Sequence, residues 1–385
     1  MIIATLTQLP RLLRTSFLPV QNGPYRRFSL QRLLVMAVFW PVFLGYLGIT
    51  WLCLALDHLL FPGFRRINIK QPVFVIGIPR SGTTFLHRLL AGDRQRFTTM
   101  TLQELLFAPS ISQRMIWRLL AKLDACLGSP LQKVLRWSEN KIFAGLDGVH
   151  NTRLSDPEED YLALIPILQC FLLILPFGDP ELMRLSRFDA QASPQQKQNL
   201  IRFYRGLIKR HLYVHGADKT FLSKNPSFTP MLQTLANGFA DARFIGCVRN
   251  PNQAVPSQIS SILIGARLFS GSTNTDWWRD ELMSMLAYYY HHLLTALPAT
   301  AKSNQALVKM EQLSSQPLQI IDKLYQQFGL SLSNGYRQWL KQEDEKAQRF
   351  RSGHHYQTQQ LGITRQQLHH HYQSIYRQLG YALPE

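Results

Sequence analysis

The sequence predicts an α/β fold of three layers, in which helices flank a central parallel sheet and an apolar helix precedes it. Short β-branched and aromatic runs alternate with segments of helical periodicity, and this order builds parallel sheets. The 385 residues are 46% hydrophobic and 17% charged, so the chain can bury a large core and lacks the composition of a disordered protein.

At residues 72–92 a predicted strand is followed by a glycine loop and then by a predicted helix. This order is typical of the start of a βαβ unit. In "DPEEDYLALI" we expect a helix that Asp156 caps, with Pro157 in its first turn and with Glu158 and Glu159 facing the positive end of the helix dipole. The apolar run 161–177 is too short for a membrane span and predicts one buried core helix. The predicted strands are 72–77, 242–249 and 304–310. The remaining predicted helices are 83–92, 314–330 and 364–380.

An uncharged run of 24 residues extends from Leu33 to Leu56. As a helix it is long enough to cross a hydrocarbon core of about 30 Å. Arginines and lysines flank it on both sides, so charge does not decide its orientation. A true span, a kinked interfacial helix with both ends on the cytosolic side, and a helix packed on the protein all stay open. We expect residues 1–69 to form a membrane-associated lead and residues 70–385 to form one catalytic domain in the cytoplasm.

The chain is strongly basic, with 42 Lys and Arg against 24 Asp and Glu and a formal net charge of +18. This surplus favours anionic partners such as nucleotide phosphates or an anionic membrane surface. The basic residues are dispersed and no zinc-finger or RNP-type motif is present, so nucleic acid is not an expected partner. The four cysteines are isolated, which favours free thiols in a reducing compartment, and the oligomeric state is left open.

The octapeptide "GIPRSGTT" (77–84) has glycines at the spacing of a phosphate-binding loop, and it lies between a predicted strand and a predicted helix. Backbone N–H groups and the helix dipole make such a turn an anion site, so the fold is expected to be P-loop-like. A nucleotide triphosphatase needs a lysine after the second glycine and an aspartate for Mg²⁺. Here Thr83 and Arg249 stand at those places. A sulfonated nucleotide fits a site that offers cations in place of a metal.

Two segments resemble those of sulfotransferases that use 3′-phosphoadenosine 5′-phosphosulfate (PAPS). "PVFVIGIPRSGTTFLHRLL" is similar to the loop that binds the 5′-phosphosulfate, and "RFIGCVRNPNQAVPSQISS" to the segment that binds the 3′-phosphate. The resemblance extends over residues 70 to about 380 and is closest to the bacterial-type branch. It implies that Arg80, Ser81, Gly82, Thr83 and Thr84 bind the phosphosulfate. It also implies that Arg249 and Ser257 bind the 3′-phosphate and that Arg351, Ser352 and Gly353 close over it.

The resemblance also suggests which residues act on the transferred group. Arg80 is expected to neutralise charge on the phosphosulfate, and Lys224 in "FLSKNPSF" matches a K-x-P element that points a lysine at the substrates. Glu104 and His150 are the two candidates for the base that takes the acceptor's proton. Glu158 and Glu159 are expected to be helix-start charges in preference to bases. The consecutive histidines fan out around their helices, so no metal site is predicted.

These patterns predict a sulfotransferase that moves a sulfuryl group from PAPS to a hydroxyl or amine of an acceptor. The apolar lead suggests that the acceptor is hydrophobic or lipid-linked. Two alternatives stay open on the sequence. One is a P-loop nucleotide kinase or NTPase, and the other is a catalytically inactive nucleotide-binding protein of the membrane surface.

Overall fold

The computed structural model describes residues 2–27, 29–134, 153–349 and 361–383. Within these ranges, five parallel strands form one sheet in the order β2-β3-β1-β4-β5. The strands are β1 Val73–Gly77, β2 Phe97–Thr98, β3 Thr220–Lys224, β4 Arg243–Val248 and β5 Gln305–Lys309. The three strands predicted from the sequence are thereby confirmed to within one or two residues. The sequence analysis missed β2, which has only two residues, and β3.

Helices cover both faces of this sheet, as predicted. The α-helices are α1 Ile2–Leu6, α2 Leu9–Phe17, α3 Leu30–Leu60, α4 Thr83–Ala91, α5 Leu102–Phe107, α6 Ile111–Cys126, α7 Ile174–Phe177, α8 Phe188–Gln191, α9 Pro194–His215, α10 Leu232–Gly238, α11 Pro251–Phe269, α12 Thr275–Ala296, α13 Met310–Ser315, α14 Pro317–Gln327, α15 Asn334–Arg349 and α16 Arg365–Leu379. In the described part of the chain, six 3₁₀ segments join them at Pro62–Arg66, Asp160–Ile167, Phe171–Leu173, Pro180–Arg187, Pro226–Met231 and Lys302–Asn304.

The alternation of side chains along β1 divides the core into two layers. Phe74 and Ile76 belong to a large apolar cluster on one face of the sheet. Val73 and Val75 belong to a second cluster, with α4 and α14, on the other face. Successive strand residues point to opposite faces, so a fully buried strand of this kind requires helices on both sides. The predicted three-layer α/β class is therefore confirmed.

Two helix predictions are wrong in detail. Asp156 is no helix cap: its Oδ2 accepts a hydrogen bond from the backbone N–H of Arg153 at 2.9 Å, and the 3₁₀ helix begins only at Asp160. The run 161–177 is largely buried but is not one helix, since its two parts, Asp160–Ile167 and Phe171–Phe177, meet at an angle of 62°. Leu168, with φ of 53°, ends the first part in a left-handed conformation that an α-helix does not tolerate.

The predicted helix 314–330 is also divided, because Pro317 cannot donate the backbone hydrogen bond that would join α13 to α14. The predicted C-terminal helix is confirmed as α16. Its first turn is closed by a capping box between Thr364 and Gln367.

The apolar N-terminal segment forms α3, a helix of 31 residues that includes Pro41. One side of α3 joins the large core cluster through residues such as Trp40 and Leu47. The opposite side is exposed, and only 28% of its most apolar 18-residue window is buried. By length and composition α3 could cross a membrane. The core helix of a soluble protein or a signal sequence can have the same length and composition, so these two features alone do not show a membrane span. The division at residue 69 stays a prediction.

Candidate functional site

The loop between β1 and α4 is held in a conformation that only glycine allows at two positions. Gly77 has φ of 139°, and a Cβ there would lie 2.1 Å from the backbone oxygen of Cys247 on β4. Gly82 has φ of 84° and precedes the first turn of α4. The hydroxyl of Thr229 accepts from the N–H of Gly77 at 2.9 Å and donates to its carbonyl at 2.6 Å. The loop is therefore anchored from two sides and leads directly into a helix N-terminus.

Two predicted donor-binding segments meet at this loop. The Nε of Arg80 donates to the hydroxyl of Ser257 on α11 at 2.9 Å. A terminal nitrogen of Arg249, which follows β4, donates to the carbonyl of Arg80 at 3.2 Å, and its Nε donates to Gln253 at 2.9 Å. The residues expected to bind the 5′-phosphosulfate and the 3′-phosphate are thus joined by direct hydrogen bonds, although 169 or more residues separate them in the sequence.

The loop hydroxyls differ in their surroundings. Ser81 is fully buried, and its hydroxyl donates to the carbonyl of Cys247 at 3.0 Å, which fastens the loop to β4. Thr83 is buried and Thr84 is half-buried in the first turn of α4. His150, Arg351, Ser352 and Gly353 lie outside the described residues, so their predicted roles stay predictions.

Lys224 lies at the carboxyl end of β3, where Val75 of β1 is its partner in the sheet register. Its side chain is fully buried, and its Nζ pairs with Glu158 at 3.1 Å and with Glu159 at 3.2 Å. The expectation that these glutamates serve the start of a helix at Asp156 is wrong, because they precede the 3₁₀ helix and their carboxylates bind Lys224. A lysine buried in this way needs opposite charge close by.

Glu104 lies in the first turn of α5, where it closes a capping box with Thr101. Its Oε1 accepts from His215 at 2.6 Å and lies 3.6 Å from the guanidinium of Arg114. Burial opposes ionisation of this carboxyl, but the hydrogen bond from His215 and the charge of Arg114 outweigh burial, and the pKa of Glu104 is well below its usual range. The sequence analysis gives no role to His215 or Arg114, the two residues that bind this carboxylate.

Glu104, His211 and His215 also bring their ligand atoms within 4.8 Å of one another, a spacing that suits a metal ion. Arg114 lies on the same carboxylate and contacts His211 at 3.4 Å. Burial and the charge of Arg114 lower the pKa of His211 well below its usual value, so this imidazole is neutral. The guanidinium already supplies the positive charge that a metal would bring, and we therefore describe this group as an ion-pair network.

The loop at the N-terminus of α4 has an arginine and a serine from the neighbouring strand and helix beside it, and this is the geometry of a site for anionic groups such as phosphate. The family model described as "Sulfotransferase family" matches residues 72–334. The chain therefore belongs to the sulfotransferase family and is a sulfotransferase.

Known proteins agree with this assignment. The omega-hydroxy-beta-dihydromenaquinone-9 sulfotransferase Stf3 of Mycobacterium tuberculosis is 24% identical over 316 residues, which span 77% of this chain and 73% of that protein. Among solved structures, the sulfotransferase STF1 of Mycobacterium tuberculosis aligns over 97% of this chain and 93% of its own, with a TM-score of 0.70 and 19% identity. The sulfotransferase STF9 of Mycobacterium avium aligns over 86% and 82%, with a TM-score of 0.67 and 17% identity. Both structures share the fold.

Proposed function

We propose that this sulfotransferase transfers the sulfuryl group of PAPS to a hydroxyl, or to an amine, of a hydrophobic or lipid-linked acceptor. The observation that carries the choice of donor is the contact between Arg80 and Ser257. It joins the loop at β1 to the N-terminal part of α11, so one ligand can reach both. A nucleotide with anionic groups at its 5′ and 3′ positions fits this pair of sites, whereas a triphosphate uses only the first.

The residues present fit such a ligand. The two loop glycines let the loop pass close to Cys247 and to the Met310 sulfur, where a Cβ would clash, and so hold its backbone N–H groups at the start of α4. In the proposal, Arg80, Ser81, Gly82, Thr83 and Thr84 hold the phosphosulfate. Arg249 and Ser257 hold the 3′-phosphate, and Arg351, Ser352 and Gly353 close over it. PAPS supplies an activated sulfuryl group, and the chain's arginines and N–H donors stabilise the negative charge that builds up on the leaving phosphate.

Transfer also needs a base for the acceptor's proton, for which the sequence offers Glu104 and His150 as candidates. Lys224 supports transfer from the β3 side of β1, whereas Arg249 lies on the β4 side. Its ammonium group can stabilise negative charge without a metal ion.

The proposed acceptor rests on two independent features. The relative Stf3 is named for a hydroxylated menaquinone, which is an apolar molecule with a hydroxyl group. In this chain, the exposed side of α3 carries large apolar side chains, and α6, which packs on α3, exposes more of them. Those on α6 and just after it are Ile116, Trp117, Leu119, Leu120, Leu123, Leu127, Leu131 and Val134.

These helices support membrane association, and the cytoplasmic position of the catalytic domain stays an expectation from the sequence. Two adjoining helices with this many exposed large apolar side chains are unusual on a soluble monomer. Exposed Arg118 and Lys122 lie among the apolar residues of α6. A basic and apolar helix surface of this type suits the interface of an anionic membrane.

Incubation of the purified protein with PAPS labelled in its sulfur and with extracted membrane lipids tests the proposal. We expect label in an apolar product and tight binding of 3′,5′-adenosine bisphosphate. Hydrolysis of ATP that depends on Mg²⁺, without binding of the bisphosphate, would refute it in favour of a P-loop NTPase. Label in a water-soluble product only would overturn the acceptor class and leave the donor intact.

A further inference from the structure

Three consecutive carboxyl groups, Glu158, Glu159 and Asp160, surround the end of β3. Asp160 is buried and accepts hydrogen bonds from the hydroxyls of Tyr204 and Ser223, so its oxygens are directed into the core. The two glutamates bind Lys224. The segment between Pro157 and the 3₁₀ helix therefore places two carboxylates at the carboxyl edge of the sheet, beside the strand that carries the glycine loop.

The two glutamates have different contacts. Oε1 of Glu158 accepts from Lys224 and also from the backbone N–H of Glu159 at 2.9 Å, and its side chain is 14% exposed. Oε1 of Glu159 accepts from Lys224, and its side chain is 26% exposed. Among the hydrogen bonds between described residues, Oε2 of Glu159 receives none. Glu158 is thus held in place by two donors, while Glu159 keeps an oxygen that can accept a proton from a ligand.

Glu159 also lies at the edge of the core, close to the strand that leads into the loop. Lys224, its partner, is two residues away in the sheet register from Gly77, the first glycine of the loop. Its charge, after burial, contributes to the lowered pKa of His87 on α4, which places the lysine near that helix. On the other side, Glu159 is close enough to Tyr289 and Cys170 to add to the effect of burial in raising their pKa values. Tyr289 and Cys170 are buried core residues, so the accessible side of Glu159 is the one that faces away from them.

Glu104 offers no comparable oxygen. Its Oε1 accepts from His215 and its Oε2 accepts from the backbone N–H of Thr101 at 3.1 Å. Its charge is also neutralised by Arg114. A carboxylate whose pKa is held far below neutrality is a poor proton acceptor, because a base works best when its pKa is near the working pH. These contacts give Glu104 a structural role, because it connects α5 with Arg114 of α6 and His215 of α9.

We propose that Glu159 is the general base of the transfer and that Lys224 and Glu158 position it, an inference that rests on the proposed function. The proton of the acceptor hydroxyl moves to the Glu159 carboxylate as the acceptor oxygen forms a bond to sulfur. The bond between sulfur and the bridging oxygen of the nucleotide's 5′-phosphate breaks, and its electron pair leaves on that phosphate. Lys224, which binds both glutamates, contributes positive charge beside the transferred group.

Four glutamate variants test this assignment with PAPS and the acceptor-containing lipid extract. We expect Glu159→Gln to lower kcat by about 10²- to 10⁴-fold, the usual contribution of a general base. The affinity for 3′,5′-adenosine bisphosphate stays unchanged in that variant, which shows that it is folded. Sodium formate restores activity to Glu159→Ala, since a small carboxylate can occupy the space of the lost side chain. The exposed Glu181, substituted with Gln, is the matched control and keeps the wild-type kcat.

The results separate the base from the wider proposal. If the wild type transfers no sulfuryl group, the proposed function is wrong. If the wild type transfers it and Glu159→Gln keeps at least half of the wild-type kcat, only the base assignment is overturned. Restoration of Glu104→Ala by formate, without restoration of Glu159→Ala, would return the role of base to Glu104.

Discussion

Asp57 and Arg210 form an ion pair at 2.7 Å between side chains that are 0% and 6% exposed. Asp57 lies near the end of α3, and its carboxylate also accepts from the backbone N–H groups of Ile111 at 2.9 Å and Ser112 at 2.8 Å, the first residues of α6. Arg210 belongs to α9 and further donates to the carbonyl of Leu54 at 3.0 Å. One carboxylate therefore connects the apolar lead, the exposed apolar helix α6 and the body of the enzyme.

Asp57→Asn is expected to destabilise the protein by about 3–5 kcal/mol, because it leaves the Arg210 guanidinium buried without its counter-ion. Chemical denaturation at neutral pH measures the change. The matched control is Asp276→Asn, whose side chain is 60% exposed and which loses surface ion pairs with Arg26 at 2.6 Å and Arg279 at 3.0 Å. Each of these exposed pairs is expected to contribute less than about 1 kcal/mol. Equal losses in the two variants would contradict the role given to Asp57.

The sequence predicted those parts of the fold that depend on local patterns. The strand 72–77, the loop 77–84 and the helix after it are adjacent in the chain, and hydrophobic period and glycine spacing were enough to find them. The joining of Arg80, Arg249 and Ser257 was predicted only through the resemblance to a family. The pairing of Lys224 with Glu158 spans 66 residues and has no local pattern. For that reason, the local sequence predicts only that these glutamates are charges at the start of a nearby helix.

Gly77→Ala is expected to abolish binding of 3′,5′-adenosine bisphosphate and to lower the melting temperature. An added Cβ would lie 2.1 Å from the backbone oxygen of Cys247 and 2.5 Å from its nitrogen, and β4 cannot retreat without loss of its hydrogen bonds to β1. Gly335→Ala is the control, since a Cβ at that helical position meets nothing within 4 Å. There the change is expected to stabilise α15 by up to about 1 kcal/mol. Calorimetric titration and thermal denaturation report both effects, and unchanged binding by Gly77→Ala would refute this account of the loop.

Arg249→Ala and Ser257→Ala are expected to remove the preference for a 3′-phosphate. Each hydrogen bond to a charged group contributes about 1.5–3 kcal/mol, so the affinity for 3′,5′-adenosine bisphosphate falls about 10- to 100-fold. The affinity for adenosine 5′-monophosphate, which lacks that group, changes little. Arg267→Ala on the same helix is the control, because Arg267 is exposed near the far end of α11. If both nucleotides lose affinity equally, these residues do not bind the 3′-phosphate.

Asp160 predicts a pH dependence of stability that Asp160→Asn removes. Burial, partly offset by hydrogen bonds from Tyr204 and Ser223, raises the pKa of Asp160 from 3.8 to about 7. The folded state therefore binds a proton that the unfolded chain releases, and this contribution to stability is full below about pH 4 and is lost as the pH rises through 7. Between these values the wild type loses up to about 1.4 kcal/mol per pH unit relative to Asp160→Asn. Urea denaturation at pH 5, 6, 7 and 8 measures the difference, and parallel curves for the two proteins would contradict the raised pKa.

The exposed apolar face of α6 predicts binding to anionic vesicles. Leu119 and Leu123 are 58% and 53% exposed on one side of this helix, close to Arg118 and Lys122. Insertion of a leucine into the interface contributes about 1.5–3 kcal/mol, and a glutamate is repelled by anionic headgroups. The double variant Leu119→Glu and Leu123→Glu is therefore expected to bind vesicles of phosphatidylglycerol and phosphatidylcholine at least about 100-fold more weakly than the wild type.

Flotation of the purified full chain with such vesicles measures this partition. Leu383→Glu is the matched control, because Leu383 is 46% exposed near the end of the described chain and far in sequence from α3 and α6. Its binding is expected to equal that of the wild type. If the double variant floats as well as the wild type, α6 does not enter the membrane, and α3 alone must account for any attachment. If the wild type binds neutral vesicles as strongly as anionic ones, the basic residues of α6 do not select the lipid. Loss of binding in the double variant alone would show that α3 and α6 act as one surface, because α3 keeps its own exposed leucines in that variant.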